Sequence, residues 1–278
     1  MLRQRVTTAL ILVGALIATL LFVPYEVQAA LFGLVACAGA WEWAALVGAR
    51  SPIHRLVFVL PLGLACSGLW ESMGLAGHQS KIAMQPLLAA SALLWSAMLL
   101  GLKSYPAGKW LWGQAGVRAL MGWLILAATW FAVVVCLTLD NGPLVIFSLI
   151  LTVVAADVGA YFAGRRFGQH ALAAAISPAK TWEGFWGGML CVAAMAVLLW
   201  YNLPPSHLHL GLGSLLALAL ATAGASVVGD LTVSLLKREV GLKDSGSLLP
   251  GHGGILDRLD SICGAAPVFT LGLLLVGY

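Results

Sequence analysis

Nine apolar runs, each long enough to cross a hydrocarbon core of about 30 Å as a helix, divide the chain at roughly 6–23, 27–49, 54–71, 82–102, 119–139, 144–164, 184–202, 208–233 and 258–278. Between them the basic residues fall almost wholly on alternate connections. Arg3 and Arg5, Arg50 and Arg55, Lys103, Lys109 and Arg118, Arg165, Arg166 and Lys180, and Lys237, Arg238, Lys243 and Arg258 share one side, leaving only Lys81 for the other. Positive charge in short connections marks the inner face of a membrane protein. The expected fold is therefore all-α and polytopic, with about nine transmembrane helices, the N-terminus inside and the C-terminus outside. Charged residues make up only 9% of the chain and hydrophobic ones 61%, which excludes an ordinary soluble domain. The first run carries Arg3 and Arg5 ahead of it and Val27-Gln28-Ala29 behind it, as a cleaved leader would. Here it is read as a retained helix.

Composition removes other classes. The five cysteines, Cys37, Cys66, Cys136, Cys191 and Cys263, lie inside apolar runs with no C-x-x-C spacing, and they read as packing residues. Tryptophans near the run ends suit interfacial belts, and nothing suggests a nucleic-acid surface. No P-loop, G-x-G-x-x-G, H-E-x-x-H or G-x-S-x-G is present. His207 and His209 sit in a Pro-rich connection on the opposite face and read as solvated. The division expected is 1–118, four helices and an interfacial segment from Leu102 to Arg118, followed by a catalytic region over 119–278.

Two inner connections hold chemistry. The first begins in the sixth run, where Asp157, Tyr161, Gly164 and Arg165 fall at i, i+4, i+7 and i+8 on one helical face. An intramembrane Asp costs about 2.5–3.5 kcal/mol, so Asp157 should face protein, water or a cation. Ser177-Pro178 reads as a helix start, with Ser as cap and Pro at the first helical position. Lys180 and Thr181 in the first turn would then make an anion site.

The second, Ser234 to Asp260, holds eight of the chain's 26 formal charges in 27 residues. Asp230, Ser234 and Lys237 form one stripe at i, i+4 and i+7, Asp257, Asp260 and Ser261 share a face, and Arg258 points elsewhere. Paired carboxylates beside lysines suit Mg²⁺ carrying phosphate ligands. The glycines around His252, among them Gly253 and Gly254, would let backbone N–H groups approach phosphate oxygens.

At these residues the sequence resembles the phosphatidate cytidylyltransferase family, the membrane CDP-diacylglycerol synthases. The signature S-x-x-K-R, K-D, H-G-G, D-R-x-D is filled by Ser234, Lys237, Arg238, Lys243, Asp244, Gly246, Pro250, His252, Gly253, Gly254, Asp257, Arg258 and Asp260. Asp157 to Tyr161, Ser177 to Gly184, Gly229-Asp230-Leu231 and Trp41-Glu42-Trp43 resemble further family patterns. Ala179 stands where relatives often carry a second lysine, so a phosphate role there rests on Lys180.

The resemblance implies transfer of a cytidylyl group from CTP to phosphatidate, giving CDP-diacylglycerol and pyrophosphate at the cytoplasmic face of a bacterial inner membrane. It implies Mg²⁺, with room for a second cation, on Asp230, Asp257, Asp260 and Asp157. Lys237, Arg238, Lys243, His252 and Arg258 would act on phosphates in the catalytic set, with Asp244 read as a partner for a neighbouring lysine. Ser177, Lys180, Thr181, Ser234, Gly253, Gly254 and Arg165 would bind substrate. CTP, phosphatidate and membrane lipids are the expected partners, no nucleic acid is, and a homodimer is left open. Two rivals stand beside it. One is a CTP-dependent polyprenol or dolichol-type lipid kinase, which would release CDP. The other is a transporter with Glu42, Asp157 and Asp230 as an ion relay. The D-G-x-x-A-R pattern of a CDP-alcohol phosphotransferase is absent.

Overall fold

The computed structural model describes residues 2–72, 74, 81–202, 210–248 and 253–277. Backbone polar groups in hydrocarbon must be satisfied within the segment, and each of the nine apolar runs accordingly forms a helix. They are α1 (Leu2–Phe22), α2 (Tyr25–Val47), α3 (Pro52–Ser72) and α4 (Lys81–Ser104), then a single turn α5 (Lys109–Trp112), α6 (Ala115–Thr138) and α7 (Gly142–Phe167). A two-stranded antiparallel hairpin follows, β1 (Ala171–Ala173) and β2 (Ser177–Thr181), and then α8 (Trp182–Asn202), α9 (Leu212–Glu239) and α10 (Leu256–Leu275). Eight of the helices are long and apolar enough to cross a membrane; in α1 the qualifying stretch, Leu10–Phe22, is shorter. The protein is an integral membrane protein.

Local chemistry sets the breaks. Gly48 closes α2 in the left-handed region at φ 99°, donating to Ala44 and Ala45 carbonyls. Ser51 and Pro52 open α3, with the His54 N–H donating to Ser51 Oγ at 3.3 Å. Asn141 at φ 56° and the following Gly142 and Pro143 start α7.

Helices α6 and α10 are the most buried, and they sit at the centre. Against α6 pack α2, α3, α7 and α10, while α10 also lies on α9 and α4. Outward faces carry exposed leucines, phenylalanines and tryptophans such as Leu64, Leu93, Phe162, Trp186 and Leu190, an apolar surface suited to lipid.

Small residues let the C-terminal helices cross closely, as membrane interfaces favour. On α7 and α8 a Cβ added to Gly187 would lie 2.1 Å from the Ala163 Cβ, and one added to Gly188 would lie 2.7 Å from the Ala156 carbonyl oxygen. The segment 102–118 is a connector with Trp110 outside and Trp112 buried. Arg118, expected as an inner-face charge, is buried: its guanidinium donates to the Leu46 and Trp112 carbonyls, both at 2.7 Å. Residues 203–209, with His207 and His209, and 249–252, with Pro250 and His252, lie outside the described residues.

Candidate active site

The closest backbone approach of α9 and α10 builds the first part of the site. A Cβ on Gly229 would stand 2.4 Å from the Asp260 carbonyl oxygen, and one on Gly264 only 2.1 Å from that of Ala225. Any side chain at either position would push the helices apart. Because they touch, Asp230 at the next position of α9 stands within electrostatic reach of the buried Asp260 of α10. Asp260 Oδ1 also accepts the Ser261 N–H at 2.8 Å. Asp230 has two partners of its own. Its Oδ1 accepts the Ser234 hydroxyl at 3.2 Å, and its Oδ2 is ion-paired with Lys180, which arrives from β2. Asp157 of α7 lies within electrostatic reach of both Asp230 and Lys180. Three of the four carboxylates expected at a metal, drawn from α7, α9 and α10, thus lie within electrostatic reach of one lysine, which is ion-paired with Asp230.

The fourth lies in a different setting. Asp257 Oδ1 accepts Lys237 Nζ at 2.7 Å, and its Oδ2 takes two backbone donors, the N–H of Ser245 and of Gly254, each at 3.0 Å. The pair is close to buried, at 9% and 11% side-chain exposure. Asp257 therefore closes the loop between α9 and α10, and it ties that loop to the end of α9. Gly253 turns beside it at φ 80°, a conformation open to glycine. Among the described residues no three His, Cys, Asp or Glu side chains form a complete ligand set for a metal. Mg²⁺ needs no such set, since one or two carboxylates suffice when waters and substrate phosphates supply the rest. Asp230 and Asp260, hard oxygen donors on adjacent helices, fit that requirement.

A cleft of about 470 Å³ opens beside the first carboxylate group, between α7, α8 and the hairpin; Asp157, Tyr161, Arg165, Ser177, Lys180 and Thr181 line it. The helical spacing expected on α7 is realised, with Arg165 Nη1 donating to the Tyr161 hydroxyl at 3.1 Å.

The expected helix start at Ser177-Pro178 is not. Those residues form β2, and the helix begins at Trp182 with Thr181 as its cap, the Gly184 N–H donating to Thr181 Oγ1 at 3.1 Å. The reason is a stronger competing signal downstream. Thr181 caps, while Glu183 in the first turn accepts the Gln169 and His170 N–H groups through Oε2 and bonds His170 Nδ1 through Oε1 at 2.6 Å. That pins the hairpin's entry to its exit and leaves Pro178 on an edge strand, where its missing N–H costs little. Lys180 thus reaches Asp230 from a strand.

The remaining basic residues separate. Arg238 donates to the Ile176 carbonyl at 3.4 Å and the Leu242 carbonyl at 3.1 Å, joining the end of α9 to the hairpin. Lys243 and Asp244 are exposed in the loop. Arg258 lies with Ile255, Leu259 and Ile262 on a face of α10 lining an apolar groove of about 330 Å³ that also includes residues of α1, α2, α6 and α7. Gly246 and Gly254 have a use that their spacing does not reveal, because a Cβ at either would collide with the carboxylate of Glu42, at 2.4 Å and 2.2 Å respectively. Glu42, from α2, enters the loop region from the far end of the sequence. Its signals in the sequence are a lone carboxylate in an apolar run and the Trp41-Glu42-Trp43 resemblance.

Fold and site together define a class, that of polytopic membrane proteins with carboxylates and a lysine brought together between their helices. The chain belongs to the Cytidylyltransferase family, whose profile matches residues 3–276. It is 36% identical over 281 residues to the phosphatidate cytidylyltransferase of Pseudomonas aeruginosa, covering 100% of this chain and 99% of the relative. The same identity holds over 282 residues with the phosphatidate cytidylyltransferase of Haemophilus influenzae, covering 97% of this chain and 98% of the relative. The phosphatidate cytidylyltransferase of Mycobacterium leprae is 38% identical over 163 residues, 59% of this chain and 50% of that protein.

Proposed function

We propose that this protein transfers the cytidylyl group of CTP to phosphatidate, releasing pyrophosphate and leaving CDP-diacylglycerol in the membrane. The observation that carries the reading is Lys180, which lines a cleft with Asp157, is ion-paired with Asp230 and lies within electrostatic reach of Asp260, in a chain similar over its whole length to phosphatidate cytidylyltransferases. The lipid phosphate carries about −1.5 to −2 charge by analogy with other phosphomonoesters, so its oxygen is already a nucleophile. Joining it to a nucleoside triphosphate is chiefly a problem of repulsion between anions. A phosphatidate oxygen forms the new bond to the α-phosphorus, the bond from that phosphorus to the β-phosphate bridging oxygen breaks, and pyrophosphate takes the electron pair.

Each group has a part in that step. Asp230 and Asp260, with Asp157 beside them, would hold Mg²⁺, which when bound neutralises phosphate charge and polarises the phosphoryl oxygens. Lys180 is released from Asp230 to meet a substrate phosphate, and Arg165 and Thr181 extend the donor set along the cleft. Lys237 is held in place by Asp257 at the inner end of α9, where it acts electrostatically on developing charge. Positioning and charge relief of this kind suffice for phosphoryl-type transfer. The one-sided basic connections support a site on the cytoplasmic face of a bacterial inner membrane, with CTP arriving from the cytosol and phosphatidate from the bilayer.

Purified protein given phosphatidate, Mg²⁺ and CTP labelled at the α-phosphate should move the label into a chloroform-soluble lipid and release unlabelled pyrophosphate. Label retained in CDP, with a γ-label passing to the lipid, would identify a lipid kinase instead.

A further inference from the structure

We infer that Glu42 is a positioning residue for the reaction, holding the loop between α9 and α10 in its working shape from the opposite end of the chain. A carboxylate buried on an apolar helix costs free energy unless its oxygens are hydrogen-bonded. Glu42 is 2% exposed, and its Oε2 accepts two bonds. One comes from the Ser245 hydroxyl and the other from the Leu256 N–H, each at 2.9 Å. Those two donors stand at the two ends of the loop. Ser245 follows Asp244 near its start, and Leu256 is the first residue of α10.

Two of the loop's glycines, Gly246 and Gly254, leave room for this carboxylate. A Cβ on Gly246 would meet Oε1 at 2.4 Å, and one on Gly254 would meet Oε2 at 2.2 Å and Ser245 Oγ at 2.1 Å. The space beside Gly246, and beside Gly254, which reads as a place for phosphate to approach backbone, is thus occupied by the side chain of α2. The two residues that Glu42 grips also flank the bonds made by Asp257, whose Oδ2 accepts the N–H of Ser245 and of Gly254. Glu42 and Asp257 therefore clamp the same loop ends, Glu42 through a hydroxyl and the first amide of α10, Asp257 through two loop amides. Asp257 in turn holds Lys237. A change at Glu42 reaches the chemistry along that path, without Glu42 touching substrate, and this part of the inference rests on the proposed reaction.

One detail makes the role separable from a charge relay. Both donors converge on the same oxygen, while Oε1 has no hydrogen-bond partner among the described residues. A glutamine can place its carbonyl oxygen where Oε2 stands and keep both bonds. Glu42→Gln should therefore retain kcat within about tenfold of wild type, the loss being that of charge assistance. Glu42→Ala and the shorter Glu42→Asp should each lose about 10²-fold in kcat, as displaced catalytic groups do. Both KM values should stay within about threefold, the pattern of an interaction used in the transition state.

Hydrogen exchange supplies a readout independent of turnover. The Leu256 amide and the 242–248 segment should be protected in wild type and Glu42→Gln, and should exchange faster in Glu42→Ala. Should Glu42→Ala fail to fold, Ser245→Ala removes one donor alone, and a fall in kcat with faster exchange at Leu256 is expected there. Glu42→Gln as inactive as Glu42→Ala, with protection intact, would overturn the inference in favour of a role for the charge itself. So would wild-type kcat and exchange in Glu42→Ala, or in Ser245→Ala where that variant stands in. If the wild-type protein makes no CDP-diacylglycerol, the exchange result still decides the clamp, and only the proposed reaction falls.

Discussion

Two lysine–aspartate pairs lie within one site, and their surroundings make them different devices. Lys180 and Asp230 join a hairpin strand to a helix, with side chains 29% and 25% exposed, at the edge of a cleft. Lys237 and Asp257 join the end of one helix to the start of the next, at 9% and 11% exposure, with two backbone amides completing the carboxylate. In the proposed reaction this more open pair exchanges partners, a phosphate for Asp230 and a cation for Lys180, at smaller cost than the buried pair, because water screens it better. The buried pair does not, since removing one member leaves an uncompensated charge. In the proposed reaction Asp230 and Lys180 meet metal and substrate, whereas the buried pair fixes Lys237 where the loop meets α9.

That contrast can be broken from either side. Lys237→Met should show the largest effect, destabilising the protein by about 3–5 kcal/mol as read by unfolding in detergent, with activity lost as a consequence. A stability equal to wild type would place Lys237 with the open pair. Asp230→Asn should do the reverse, lowering kcat by about 10²–10³-fold, the loss seen when one charge-stabilising group is removed from a transition state. Its unfolding should stay within about 1 kcal/mol of wild type, and a strongly destabilised Asp230→Asn would show the two pairs to be equivalent. Thr181→Ala sharpens the comparison by a smaller amount. It removes the α8 cap next to Lys180, so it should cost about 1 kcal/mol and weaken substrate binding more than it slows turnover, whereas Thr181→Ser should behave as wild type.

The helices were legible because lipid leaves a backbone few choices. Each apolar run became one helix, since only helices and closed barrels satisfy their own polar groups there. The stripe of Asp230, Ser234 and Lys237 was equally legible, because helical spacing is local, and the Ser234 to Asp230 bond follows it. The hairpin was not. Ser177-Pro178 and Thr181-Trp182-Glu183 both carry helix-start chemistry, and the outcome turned on bonds from Glu183 back to Gln169 and His170, a contact no local window contains.

The loop shows the same boundary at longer range. Its glycines are plain in the sequence, but the neighbour of Gly246 and Gly254 is Glu42, more than two hundred residues earlier. Charge, hydropathy and helical period, all properties of adjacent residues, determined the number of long helices and which residues are candidates for the chemistry. Only the tertiary structure decided which carboxylates stand together and which are already taken. The physical reason is that Gly229 and Gly264 bring α9 against α10 closely enough to put Asp230 within electrostatic reach of Asp260, while backbone amides of the loop and Lys237 claim Asp257.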